Sequence, residues 1–298
     1  MTTEVEQYEI FCGAVETLGG GDIERLETLL DQHPWLVDYR CRKGEPYEEG
    51  YFAGATLLNH IAGNPSRFPI PSNIVDITRL LLNRGARDDE KYTIGLLLTS
   101  KQASEAGVAL PLIDLLCSTT GVDLDLSDPT ILDGPLGENA PGTARELIRR
   151  GAKMDIRHAA ALGELDLVQR LFNDETKLLI EQAFIYACQY GHNNICAFLL
   201  DQGVDATSQA GIGQTGFHYA AHYGQLKTVK MLISRNAPLE VKNMYGGTVL
   251  GQALWSAYND PHKDHIQIVE ALIAAGAVIE PNLNKWIDEL RRRDGKRI

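Results

Sequence analysis

The stretch TGFHYAAHYGQLKTVKMLISRNAPLE, residues 215–240, contains two short helical patterns separated by a turn. The first pattern starts with a hydroxyl residue, places one aromatic residue and two alanines on one helical face, and stops at Gly224, which can take the positive φ of a helix C-cap. A second apolar stripe at helical spacing runs as far as Asn236. Residues 237–240 include a proline and are too short for another helix. The stretch therefore predicts a unit of helix, turn, helix and extended loop.

Variants of both halves of this unit recur along the chain. The second half returns at residues 76–89, 143–155, 194–206 and 267–280, and the first half at 54–62, 92–100, 129–136, 181–192 and 246–256. Weaker copies lie at residues 11–30 and 156–172. The closing turns at Gly203 and Asn236 are 33 residues apart. The chain is therefore predicted to be a tandem repeat.

A period near 33, a first helix similar to T-P-L-H-x-A-A and an ending similar to L-L-x-x-G-A resemble the ankyrin repeat. TGFHYAAHYGQ matches best, and the resemblance extends over nearly the whole chain. It implies an all-α solenoid of about eight helix-turn-helix repeats with short hairpin loops and helical caps. The motif histidine is retained as His218, for which the resemblance implies hydrogen bonds that tie the loop to the helix. Asn59, Gly95, Asp133, Arg157, Ile185 and Gly251 are expected at the equivalent positions of other repeats.

The repeats predict a single ankyrin-repeat domain over residues 1–298, because stacked neighbours share one continuous core. Residues 1–40 are expected to form an N-terminal capping repeat. Residues 41–280 are expected to form the stacked repeats, with insertions in the second and third. Residues 281–298 are expected to form a C-terminal cap, with Trp286, Ile287 and Leu290 turned inward.

Charge and cysteine usage restrict the classes of partner. With 28 basic and 40 acidic residues the formal net charge is -12, which would repel phosphate backbones and anionic lipids, so neither nucleic acid nor membrane is an expected partner. The N-terminus lacks the features of a signal peptide, and no apolar run approaches the length of a membrane span. The five cysteines form neither a disulfide framework nor a paired zinc spacing. We expect a cytoplasmic protein with buried, reduced thiols.

Three motifs suggest chemistry but have simpler interpretations. GIGQTG, residues 211–216, has the G-x-G-x-x-G spacing but no preceding apolar strand, so its glycines are better assigned to a hairpin tip. His218 and His222 stand four apart on a helix without the glutamate of a zinc hydrolase motif. HKDH, residues 262–265, lies in a charged insertion and is expected to be a solvated loop. No cofactor and no metal site are expected.

The resemblance to ankyrin repeats implies which positions of each repeat lie on a concave face, and aligning the repeats then predicts the side chains at those positions. These positions are rich in aromatic and imidazole groups, and such side chains dominate binding hot spots. The predicted ligand- or partner-binding residues are His158, Tyr186, Gln189, Tyr190, Tyr219, His222, Tyr223, Gln252 and Trp255, with Tyr245 closing one end.

Two functions from different classes are compatible with this face. The first is a protein-protein interaction module that binds a partner segment in the concave aromatic groove. The second is a small-molecule-binding protein or enzyme, in which His158, Tyr186, Tyr219 and His222 exchange protons with a bound substrate. No nucleophile and base pair supports a particular reaction, so the sequence favours recognition over catalysis, and it contains no signal for an oligomeric state.

Overall fold

The computed structural model describes residues 3–40, 54–63, 69–87, 90–259 and 264–294, which are mostly helical. The described residues divide into two compact units, Met1–Lys153 and Met154–Ile298. The helices of the first unit are α1 (Glu4–Gly19), α2 (Ile23–Gln32), α3 (Ile74–Asn83), α4 (Glu90–Thr99), α5 (Lys101–Glu105), α6 (Ala109–Thr120), α7 (Asp133–Gly137) and α8 (Pro141–Arg149), with 3-10 turns at Pro34–Val37, Asn59–Ala62 and Pro129–Leu132.

In the first unit, neighbouring helices pack in sequence order around aliphatic residues. α1 packs on α2, α2 on α3, α3 and α4 on α6, and α7 on α8. The buried Thr56 donates its backbone N–H to Asn59 Oδ1 at 2.8 Å, and the Asn59 amide reaches Thr93 Oγ1 at 3.0 Å. Asn59 thus occupies the predicted histidine position of its repeat.

The second unit consists of helix pairs and one short hairpin. Its elements are α9 (Ile156–Leu162), α10 (Leu165–Leu171), α11 (Lys177–Tyr190), α12 (Asn193–Asp201), β1 (Gln209–Ala210), β2 (Gln214–Thr215), α13 (Gly216–His222), α14 (Leu226–Ser234), α15 (Val249–Asn259), α16 (His265–Ala274), a 3-10 turn at Pro281–Leu283, and α17 (Asn284–Asp294). β1 and β2 pair antiparallel, so the GIGQTG motif forms a hairpin tip as predicted.

Two rows of helices make up the second unit. The first row is α9, α11, α13, α15 and α17, and the second is α10, α12, α14 and α16. Consecutive members pack together within each row, and each helix of the second row packs on its own partner. Buried residues at helical spacing fill the space between rows, as Phe217, Ala220 and Ala221 do in α13.

The repeating unit of residues 215–240 has the predicted local structure. Thr215 caps α13, and Gly224 has a φ of 72°, which suits glycine because a left-handed backbone crowds a side chain. The closing turn uses Asn236 with a φ of 56°, a conformation that asparagine tolerates better than most residues.

Candidate functional site

A groove of about 690 Å³ opens in the second unit. Its walls come from hairpin tips, the first-row helices α13 and α15, and the segment that leads into α17. Its lining residues are Ile212, Gln214, Tyr219, His222, Tyr223, Asn243, Tyr245, Gly247, Gly251, Gln252, Trp255, Asn282, Leu283, Lys285 and Trp286. The groove therefore lies over the first-row helices of the last repeats and ends at the C-terminal helix.

Helix packing explains why these side chains face the groove. In α13 the buried face holds Phe217, Ala220 and Ala221, so Tyr219 and His222 emerge on another face. α15 repeats the arrangement, because Leu250, Ala253 and Leu254 are buried while Trp255 is 47% exposed. The small buried residues let the two helices approach closely and leave the large side chains for the groove.

The two hairpin tips that border the groove are joined by a backbone hydrogen bond. Met244 donates its N–H to the Ile212 carbonyl at 3.0 Å. Asn243 Oδ1 accepts the N–H groups of Tyr245 and Gly247 at 3.0 and 2.9 Å, which fixes the second tip. Tyr245, 75% exposed, stands on a hydrogen-bonded turn at the edge of the groove.

A chain of polar side chains forms part of the groove surface. Gln214 Nε2 donates to Gln252 Oε1 at 3.0 Å, and Gln252 Nε2 donates to His222 Nδ1 at 3.1 Å. The buried Ser256 hydroxyl also contacts His222 Nδ1 at 3.1 Å. Because an amide nitrogen can only donate, His222 Nδ1 accepts the hydrogen bond from Gln252.

Aromatic rings contact one another along the same surface. The His222 ring lies 4.6 Å from Tyr223 and 5.8 Å from Trp255, measured between ring centroids. At the far wall Trp286 makes an edge contact with Tyr258 at 5.0 Å. Burial raises the pKa of Tyr219 above its usual value, so its hydroxyl stays protonated at neutral pH. The groove thus presents partly exposed rings beside amide and hydroxyl groups that can form hydrogen bonds.

The predicted residues divide into three groups. Tyr219, His222, Tyr223, Gln252 and Trp255 line the groove, together with Tyr245. Tyr186 and Tyr190 are half-buried on the preceding first-row helix, α11, outside the groove lining. Burial, with smaller contributions from Tyr186 and Tyr223, raises the pKa of Tyr190.

His158 and Gln189 differ from the prediction, because both side chains are buried rather than presented on a surface. His158 Nδ1 accepts the backbone N–H of Asp155 at 3.2 Å, and the Asp155 carboxylate caps the same helix. His218 makes the same contact with Thr215 at 3.3 Å and also reaches the Gly247 carbonyl at 3.1 Å. His158 is thus a second motif histidine, and the assignment of Arg157 to that position was wrong by one residue.

Trp286, Leu283 and Lys285 were not predicted as groove residues. The sequence pattern placed Trp286 in the core of a terminal cap, whereas Ile287 and Leu290 fill that role and Trp286 is only half-buried. No local signal identified these three residues, because an amphipathic pattern does not show which surface the exposed face of a helix borders.

The other chemical motifs are structural in this fold. Cys188 and Cys196 are buried with their Sγ atoms 3.6 Å apart, too far for a disulfide, and burial raises the pKa of Cys188. His265, at the end of the HKDH motif, is buried and contacts the His222 carbonyl at 3.0 Å; residues 262 and 263 lie outside the described residues. Within the described ranges no cluster of three or more His, Cys, Asp or Glu side chains could hold a metal.

The predicted proton-exchanging pocket does not assemble around one cavity. Of its four residues, only Tyr219 and His222 line the groove, while His158 is buried and Tyr186 lies outside the lining. The imidazole of His222 is also bonded to Gln252 through Nδ1.

The stacked helical hairpins define the second unit as a repeat array, and sequence comparison identifies the repeats. A family model described as ankyrin repeats (3 copies) matches residues 156–243 and residues 184–285. Residues 156–285 of the chain are therefore ankyrin repeats. Repeats of this family are generally protein-protein interaction modules.

One curated relative is a probable E3 ubiquitin-protein ligase, XBOS33, from rice, Oryza sativa subsp. japonica. It is 30% identical over 112 residues, which cover 35% of this chain and 22% of the relative. The match thus spans about a fifth of the relative's length. In the described parts of the chain, no helix has the length and apolar content required to cross a bilayer.

Proposed function

We propose that this protein recognises a segment of a partner protein, which it binds in the groove between the hairpin tips, α13, α15 and α17. The observation that carries the proposal is the cluster of partly exposed aromatic side chains around one groove: Tyr219, Tyr223, Tyr245, Trp255 and Trp286. Aromatic side chains of this kind bury a large apolar area at low entropic cost and dominate the energy of protein interfaces.

The position of the groove supports this proposal. It lies on the first-row helices and the hairpin tips, which carry the variable surface of a repeat array, while the packing positions beneath are filled by small and aliphatic residues. Substituting the exposed side chains would therefore change recognition without opening the core.

The open form of the groove favours a peptide segment over a small molecule. Sites for small molecules bury most of the ligand surface. Here Trp255 and Tyr245 are substantially exposed at the edge, so a bound chain could continue beyond the groove. We propose no ligase activity, because the match to the rice relative covers so little of that protein.

The test compares three forms of the full chain as bait in lysate of the source cells: wild type, Tyr219→Ala/Trp255→Ala, and Tyr92→Ala. Tyr92 is a matched control, since it is 44% exposed and lies in the first unit, outside the groove. Captured proteins and extracted small molecules are identified by mass spectrometry. We expect a partner that is retained by wild type and Tyr92→Ala, and that the double variant binds at least about 30-fold more weakly, as for loss of a hot spot.

Equal capture of the same partner by all three forms would show that recognition uses another surface. A metabolite that co-purifies with wild type and is lost only in the double variant would instead assign the groove to a small molecule.

A further inference from the structure

The charge pattern around the groove limits the kind of segment that it accepts. Among the lining residues that the structure describes there is no aspartate or glutamate, and the one lysine or arginine is Lys285. Gln214, Gln252 and Asn243 supply amide groups. The chain as a whole is acidic, but the described lining of this aromatic groove carries no carboxylate.

Three acidic side chains that are close in sequence to groove residues make other contacts. Glu280 pairs with Lys242 at 2.7 Å, and Glu289 pairs with Arg292 at 2.8 Å. Glu240 accepts the backbone N–H of Val278 at 2.9 Å. Lys285 is exposed, and in the described part of the chain no carboxylate forms an ion pair with it.

The net charge of the chain is also unevenly distributed. Most of the excess of acidic over basic residues lies in residues 1–153, whereas residues 154–298 are close to neutral by formal count. The groove lies entirely in this nearly neutral unit. A negatively charged ligand in the groove would therefore experience little electrostatic repulsion from residues 154–298, and it could pair with the cation of Lys285 at the edge.

We infer that the groove binds an acidic-apolar segment of another protein, in which a large apolar side chain inserts among the rings and a neighbouring aspartate or glutamate pairs with Lys285. The inference rests on the proposed function and deepens it. A segment with a lysine, arginine or methylated lysine is disfavoured for the opposite reason. A cation bound among aromatic rings is stabilised further by a nearby carboxylate, whereas in this groove it would be repelled by Lys285.

The experiment uses a display library of random 12-residue peptides selected on the full chain. Enriched peptides are then synthesised with a fluorophore and titrated by anisotropy against wild type, Trp255→Ala, Lys285→Gln, Lys285→Glu and Lys230→Glu. Lys230 is a matched control, since it is an exposed lysine on the second-row helix α14, outside the groove lining.

We expect the enriched peptides to carry Asp or Glu within a few residues of an aromatic or leucine residue. Lys285→Gln should weaken binding by about threefold and Lys285→Glu by about tenfold, the effect expected of a rim charge pair, while Lys230→Glu stays within about twofold. The loss of affinity in the Lys285 variants should be smaller at high salt, because salt screens an exposed ion pair between Lys285 and the peptide.

Two different failures are distinguishable. Basic or uncharged peptides that lose affinity with Trp255→Ala but not with Lys285→Glu would overturn the charge inference and leave the groove as the binding site. Absence of enriched peptides, or peptides indifferent to Trp255→Ala, would overturn both.

Discussion

Replacing Gly216 by alanine should destabilise the second unit through a clash in its core. A Cβ at this position would lie 2.8 Å from Cys188 Sγ and 3.1 Å from Phe184 Cε1, well inside favourable contact distance. Both neighbours are buried on α11 and cannot move into solvent. Overpacking of this kind costs about 1–3 kcal/mol, while alanine recovers at most about 1 kcal/mol of helix propensity. We expect a net loss of about 1–2 kcal/mol.

Gly251 provides the matched control for Gly216. It lies within α15, and its added Cβ would meet Thr248 Oγ1 at 3.8 Å, an ordinary contact. Gly251→Ala should therefore stabilise the protein by about 0.5–1 kcal/mol, since alanine has less freedom to lose on folding. The same chemical change is expected to have opposite signs at the two sites.

Urea unfolding followed by far-UV circular dichroism measures both effects as shifts of the transition midpoint. A Cys188→Ala partner variant tests the cause, because removing the sulfur should make Gly216→Ala less costly, with a coupling of about 1 kcal/mol. If Gly216→Ala were as stable as wild type, or if the two substitutions were additive, the proposed contact would not limit the packing.

Two further predictions concern buried histidines. Burial lowers the pKa of His60 from 6.5 to about 4, so the folded protein favours the neutral imidazole. The contribution of His60 to the free energy of unfolding is therefore fully present above pH 6.5, and about 3 kcal/mol of it is lost as the pH falls towards 4. Urea midpoints measured across this range should show a weaker pH dependence in His60→Leu, and an unchanged slope would contradict the assignment. His218→Ala should lower the free energy of unfolding by about 2–4 kcal/mol, because it removes the hydrogen bonds to Thr215 and Gly247 and leaves buried polar groups unpaired. A loss below about 0.5 kcal/mol in the same assay would show that these hydrogen bonds are dispensable.

Local pattern and the resemblance to ankyrin repeats were together sufficient to predict the repeat fold. Spacing of apolar residues identified the buried face of α13, and the ankyrin arrangement singled out Tyr219 and His222, which are half-buried and line the groove. The prediction at His158 failed because the closing glycine follows the N-cap one residue sooner in α9, from Asp155 to Gly163, than in α13, from Thr215 to Gly224. The position of the motif side chain is fixed by its distance from the N-cap and not by its distance from the closing glycine.

The far wall of the groove could not be predicted from periodicity. An amphipathic pattern shows that α17 has a buried face, but it does not show which surface the remaining side chains border. Trp286 and Lys285 join the groove because α17 packs on α15, a long-range contact that no local signal encodes.

Because one wall of the groove belongs to α17, recognition and the docking of that helix are thermodynamically linked. Ile287 and Leu290 are its buried anchors, so a fluctuation that releases them also removes Trp286 and Lys285 from the binding surface. A bound segment at 100 times its dissociation constant would hold the helix in place by about 2.7 kcal/mol if binding requires the docked state. Amide exchange along α17 would then slow on binding, so the exchange rate of this helix would report whether the groove is occupied.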